Sequence, residues 1–394
     1  MRILAVADVT GYQVGGVSSA VADLTVGLAA AGHEVGLVND IPYSGTDGHV
    51  RHFAAPIATG AGLAEAVERA VSLLRPDVVH LVAMGQRRLA RLLPALRDRP
   101  WVLTVHSISP YERILRAFHS SDPLHYAVRR VMSAPNTFGW KLLFRRRLVP
   151  HVIVHSEWMR RTILGYGQPD AATTIISLAS SKAEAAPVAL APSPGRAGPR
   201  LVTIAGFAHT KGLHDAVRAM HILRDRYPNI HYCVAGEARD ATYRAYLESL
   251  VRRLGLEGAV TFAERLAESS MLEWLQSADV YVQPSHEEGF CLAYLEAARL
   301  AGRLVGADSG AIRQIGEGDE AMRTVPPRDP HALAEAIADL LSRTSPDEAA
   351  LKARRDRLRD RYSIGRYVQG HVALYERLLG DWRPATPGRV GEAA

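Results

Sequence analysis

Short apolar runs alternate with amphipathic segments through the first part of the chain, break off at a linker, and then alternate again. Ile3–Ala7 reads as a buried strand, and Val17–Ala31 as a helix stopped by Gly32. Glu34–Val38, Pro76–Val82 and Trp101–Val105 repeat the strand pattern, with a helical run at Leu63–Leu74. Val152–Val154 resumes it after a less regular stretch, and Ser156 is placed to cap the run Glu157–Leu164. From Ala179 to Pro199 the chain is rich in Ala, Ser, Pro and Gly without periodicity, which is a linker composition. Beyond it, strands at Leu201–Ala205, Ile230–Ala235, Val260–Phe262, Asp279–Val282 and Leu304–Ala307 are separated by helices at Leu213–Arg226, Tyr243–Leu254 and Leu292–Leu300. Helices at His331–Arg343, Glu348–Arg361 and Tyr367–Leu379 follow. Such alternation builds parallel sheets with helices on both faces. The predicted fold is α/β: two Rossmann-like, doubly wound domains facing a central cleft. Their expected bounds are 1–180 and 200–365, joined by a linker at 181–199. A terminal helix at 366–382 is expected to pack back on the first domain, ahead of a flexible tail at 383–394.

At 394 residues the chain has room for two cores and a cleft between them. Its 47% apolar and 22% charged residues exclude a disordered or fibrous protein. The net charge of +6 favours anions such as phosphates, but it is too mild to indicate a nucleic-acid partner. Cys233 and Cys291 lie far apart and outside any CxxC spacing, so neither a disulfide framework nor a zinc site is expected. A reducing cytoplasm fits that usage. Met1–Asp8 has no cleavage-site pattern, and no apolar run approaches the ~18 residues that cross a bilayer. Any membrane contact is therefore expected to be peripheral, at the inner face. Arg145–Arg147 beside Leu142 and Phe144 could touch anionic lipid, or be a solvated helix face. The sequence does not fix an oligomeric state.

In folds of this class ligands gather at the C-terminal ends of the strands. After the first strand, Gly11-Tyr-Gln-Val-Gly15-Gly16 leads into a helix, as a phosphate-approaching loop or a plain tight turn. Neither half carries GxGxxG with an acidic residue at the distance that reads a dinucleotide ribose. After Leu201–Ala205, Lys211-Gly212 stands at a helix entrance, as a diphosphate counter-charge or an exposed loop lysine. The segment Pro284–Ala297 follows a strand, opens a helix and carries Glu288 and Glu296. An eight-residue helical offset turns through roughly 800° and separates two side chains by ~12 Å. That exceeds the roughly 5 to 9.5 Å of an acid–base carboxylate pair. It suits two contacts on one extended, hydroxylated ligand, with the amides of Gly289–Leu292 between them as an anion site. Two solvated glutamates would have the same spacing.

Pro284–Ala297 resembles the Glu-x7-Glu signature of the retaining GT-B glycosyltransferases of family GT4, the glycosyl transferases group 1. Gly15-Gly16, Ala31–Val35, Pro76–His80, Thr104–His106, Lys211-Gly212, Val234–Gly236, Ser277–Ser285 and Pro327–Leu333 resemble other parts of that family's pattern in the same order. The resemblance implies a GT-B fold and transfer of a hexose from a UDP- or GDP-sugar to a hydroxylated acceptor. No cofactor is implied, and the chain contains no Asp-x-Asp through which a metal would bridge the donor. By the same resemblance, Glu296 holds the ribose hydroxyls and Glu288 contacts the donor sugar. Gly289, Phe290, Cys291 and Leu292 bind sugar and diphosphate through their amides, Lys211 neutralises the diphosphate, and Gly16 lets the N-terminal loop close. Arg265 and Leu266 flank the base, and His106 sits near the reacting centre, so His106, Glu288 and Lys211 are the expected catalytic residues. Tyr111, Glu112, His119 and Tyr126 are candidates for the acceptor, or for ordinary packing.

The chain departs from the family where an arginine usually follows the glycine equivalent to Gly206: here it is Phe207, and His209 or Arg239 are candidate substitutes. The residues do not name the sugar or the acceptor. A GT-B epimerase, or an inactive sugar-nucleotide-binding scaffold, is the alternative that a similar sequence pattern permits.

Overall fold

The computed structural model describes residues 1–7, 16–39, 50–55, 60–107, 136–180, 197–238 and 241–382. The loop Gly11–Gly15, most of the linker, Arg239, the tail, and the acceptor candidates Tyr111, Glu112, His119 and Tyr126 lie outside the described residues.

Two parallel sheets form the scaffold. The first contains β1 (Arg2–Ala7), β2 (Glu34–Asn39), β3 (Val50–Ala54), β4 (Val78–Val82), β5 (Trp101–Thr104), β6 (Val152–Val154) and β7 (Thr173–Ile175). Its spatial order is β3-β2-β1-β4-β5-β6-β7. The second contains β8 (Arg200–Ile204), β9 (His231–Ala235), β10 (Val260–Ala263), β11 (Val280–Gln283), β12 (Leu304–Ala307) and β13 (Met322–Val325), in the order β10-β9-β8-β11-β12-β13. In each sheet the order reverses beside the first strand, between β1 and β4 and between β8 and β11. Those switch points open the crevices in which such sheets bind ligands. The two Rossmann-like domains flank a central cleft, which is the GT-B architecture.

Both faces of the sheets are covered, so their central strands are continuously apolar. Along β1, Ile3, Ala5 and Ala7 enter one buried cluster while Leu4 and Val6 enter another. The first cluster includes Leu24 and Leu28 of helix Gly16–Ala30 and Val368 and Leu374 of helix Ile364–Asp381. It continues into the second domain through Cys291, Tyr294 and Leu295. Helix Ile364–Asp381 crosses helix Gly16–Ala30 closely at Gly27, where a Cβ would stand 2.5 Å from Val368 Cγ2. It also reaches the first sheet, with the Tyr375 hydroxyl 2.6 Å from His80 Nδ1. No helix among the described residues is long and apolar enough to cross a membrane.

Candidate active site

The ends of β4, β5 and β6 face those of β8, β9 and β11 across a cavity of about 670 Å³. Lys211 enters it from a short turn, His209–Lys211, that precedes helix Leu213–Leu223. Gly212 joins the two with φ 63°, and a Cβ there would sit 2.0 Å from the Pro284 carbonyl oxygen. Only glycine combines that backbone with so close an approach. The loop is tied again where the His286 amide donates to the Thr210 carbonyl at 2.8 Å. A buried pair lies behind it, His286 Nε2 at 2.5 Å from Asp215 Oδ2. Burial raises the Asp215 carboxyl, but the His286 hydrogen bond and the neighbouring His214, His286 and Arg218 outweigh it and hold the group below the usual carboxylate range.

These ties bring Lys211 against the loop after β11. Its Nζ lies 2.8 Å from Glu288 Oε1, and both side chains line the cavity. At the next residue the domains meet: a Cβ on Gly289 would stand 1.8 Å from the His106 carbonyl oxygen. Ser156 caps helix Glu157–Gly165 by accepting from the Met159 amide, and its hydroxyl donates to the Gly289 carbonyl at 2.7 Å. His106 follows β5 and is 9% exposed, with no hydrogen-bond partner on Nε2 among the described residues. Burial, then the nearby His155, His80 and His371, push its pKa well below the usual value near 6.5. At neutral pH it is an uncharged imidazole.

The structure brings together Gly16, His106, Lys211, Arg265, Glu288, Gly289, Phe290, Cys291 and Leu292 around this one cavity. Leu266 and Glu296 do not line it. Glu296 sits one turn further along helix Leu292–Leu300, where its carboxylate accepts from the Ser180 hydroxyl at 2.8 Å. His155 and Ser156 were not among the expected site residues, except for Ser156 as a cap. Their position just after a strand, like that of His106, was the available signal.

The family models for "Glycosyltransferase Family 4" and "Glycosyl transferases group 1" match residues 14–178 and 196–357, the two halves in turn. The chain is a GT-B glycosyltransferase related to family GT4. It belongs with retaining enzymes that draw on nucleoside-diphosphate sugars. The transferase is 28% identical over 392 residues to a glycogen synthase of Mycobacterium tuberculosis, covering 91% of this chain and 90% of the relative. It is 29% identical over 192 residues to a 2-deoxystreptamine glucosyltransferase of Streptomyces kanamyceticus, 48% of each chain. Among solved structures, sucrose-phosphate synthase from Thermosynechococcus elongatus aligns with a TM-score of 0.75 at 20% identity, over 96% of this chain and 100% of that one. Anabaena HepE in complex with UDP-glucose aligns with a TM-score of 0.71 at 18% identity, over the same shares.

Two details of the site concern Phe207 and Cys291. Phe207 is fully buried in the core of the second domain, edge-on to Phe262, with the Arg244 guanidinium 4.6 Å from its ring centre. His209, a candidate substitute for the arginine that the resemblance leads one to expect, has its ring against His214 and Tyr243 and does not line the cavity. Among the described residues, Lys211 and Arg265 are the lysine and arginine that line it.

The second detail is Cys291, the residue that opens helix Leu292–Leu300. It adopts φ 87° and ψ 72°, a left-handed backbone that strains any residue with a Cβ. Burial, then the adjacent Glu288 carboxylate, raise its pKa well above the ordinary thiol value, so the thiol stays protonated and hydrogen-bonds to Glu288. Cys291→Gly is expected to raise Tm by about 1 °C, a net gain of ~1 kcal/mol from relieved strain. A melting scan showing a lower Tm would mean that the thiol–carboxylate bond outweighs the strain.

Proposed function

We propose that the transferase binds a UDP- or GDP-sugar across this cavity and transfers the hexose with retention, without a metal, to a hydroxylated acceptor held by the first domain. The observation that carries this reading is the convergence of Lys211, Glu288, the Gly289–Leu292 backbone and His106, from two domains, on one cavity. The diphosphate would lie against Lys211 and the amides at the start of helix Leu292–Leu300. Those amides have no partners within the helix and carry its positive dipole end. The Lys211–Glu288 ion pair would open as the donor enters, with Lys211 moving to phosphate and Glu288 to sugar hydroxyls. Glu296 would hold the ribose, and Arg265 with Leu266 would flank the base.

In the transfer step the bond between the anomeric carbon and the diphosphate oxygen breaks. Negative charge develops on that oxygen, where Lys211 and the amides stabilise it. The acceptor hydroxyl attacks from the face that the diphosphate leaves, and its proton passes to the departing diphosphate. His106, uncharged at neutral pH, would serve as a hydrogen-bonding group beside the sugar and not as a proton store. The buried, free cysteines fit a cytoplasmic setting.

Incubation with UDP-, GDP- and ADP-sugars should release nucleoside diphosphate slowly from at least one of them in water, and faster once a suitable acceptor is present. Donor binding without turnover across a broad acceptor panel would count against catalysis and favour a scaffold.

A further inference from the structure

His155 stands at the end of β6, one residue before the serine that clasps Gly289, and lines the same cavity as His106. It is 1% exposed. Its Nδ1 lies 2.7 Å from the Ile176 carbonyl oxygen, which can only accept, so Nδ1 carries the proton. Nε2 therefore presents a bare lone pair, and it has no hydrogen-bond partner among the described residues. The His106 ring is 4.5 Å away, centre to centre and tilted by 50°, and its own Nε2 is equally unpartnered. Buried polar atoms in folded proteins are nearly always satisfied, so two such nitrogens on residues that line one cavity leave hydrogen-bonding positions that a ligand could fill.

The geometry points to His155 as a second imidazole of the transfer site, whose Nε2 accepts a hydrogen bond from a sugar hydroxyl. The inference rests on the cavity being the nucleotide-sugar site. Burial holds the His155 pKa at about 4, so the ring is uncharged at neutral pH and suits a neutral hydroxyl, not a phosphate. Its fixed tautomer adds selectivity: Nε2 can take a proton donor and cannot offer one. The donor sugar and the acceptor both supply hydroxyls, and the two sources are separable.

Nitrogen-15 spectra of the histidine rings of the unmodified protein provide the test. With UDP-glucose, GDP-mannose or ADP-glucose present, the His155 Nε2 signal should shift as a hydrogen-bond acceptor's does, whereas the matching free nucleoside diphosphate should leave it in place. A shift seen only after a monosaccharide acceptor is added would assign the hydroxyl to the acceptor. An unmoved His155 signal, while other resonances report nucleotide-sugar binding, overturns the role of His155 and leaves the donor site intact. No binding of any nucleotide sugar overturns both. In parallel, His155→Phe should lower kcat/KM by about 10- to 100-fold, and His155→Gln, which keeps an acceptor, should recover most of it. Equal losses in both variants would reduce His155 to a packing residue.

Discussion

Lys211→Ala is expected to lower kcat/KM for the nucleotide sugar by about 100- to 1,000-fold while Tm stays within a few degrees of the unmodified protein. The large effect follows from charge that develops during transfer. As the sugar leaves, the diphosphate would gain negative charge, and a cation already placed beside it stabilises that charge without reorganisation. Phe207 is buried with Arg244 over its ring, and His209 packs on His214, so on the proposed reading the charge falls to Lys211, Arg265 and backbone amides. The small stability effect follows from exposure: the Lys211 side chain is 28% accessible, and its pair with Glu288 is a bridge at the cleft edge. The loss should appear mainly in kcat, because the interaction strengthens in the transition state. Unchanged donor turnover would remove Lys211 from the mechanism.

Acidification should unfold the protein steeply. His80 and His371 meet at the seam between the first domain and helix Ile364–Asp381, His106 and His155 line the cavity, and all four are buried and uncharged. Burial is the leading cause of each lowered pKa; it brings His155 to about 4 and His371 to about 3. The unfolded chain takes up protons near pH 6.5, before the folded one does, so stability is complete above that pH and declines as the pH falls toward 4 and 3. The shift at His155 corresponds to roughly 3 kcal/mol and that at His371 to roughly 5 kcal/mol. The two are not simply additive, because charged rings so close would repel each other. Tm is expected to fall by about 10 °C between pH 7 and pH 5. His371→Gln should flatten that slope by removing one of the protons taken up. A Tm that is level over the same range would contradict the neutral-histidine seam.

Much of the scaffold was legible because period and punctuation agreed. β1, β2, β4, β5 and β6 are apolar runs ended by polar or glycine-containing turns, and Ser156 caps its helix as its position suggests. The strands β3, β7 and β13 were not anticipated. β3 and β7 are the edges of the first sheet and β13 an edge of the second, where one-sided pairing permits residues such as Arg51, His52 and Arg323. Helix Gln86–Leu96 was obscured by Pro94 near its end, although Leu89, Leu92 and Leu96 form its buried stripe. At the site, Lys211 and Glu288 were each readable as loop residues, but their contact depends on Gly212 resting against Pro284, which no local pattern encodes. His155 was hidden for a similar reason. Its significance lies in a carbonyl and a ring brought close by the fold: Ile176 O and His106.

On the proposed reading the cavity between the two domains takes a nucleoside diphosphate. Calorimetric titration of UDP, GDP and ADP, with a metal chelator present, addresses it most directly. At least one nucleotide should bind with Kd between roughly 1 μM and 1 mM, a range set by analogy with ordinary substrate affinities. Glu296→Ala should weaken that binding about tenfold or more if, as proposed, Glu296 leaves Ser180 to hold the ribose. Absence of binding by all three nucleotides would contradict the account.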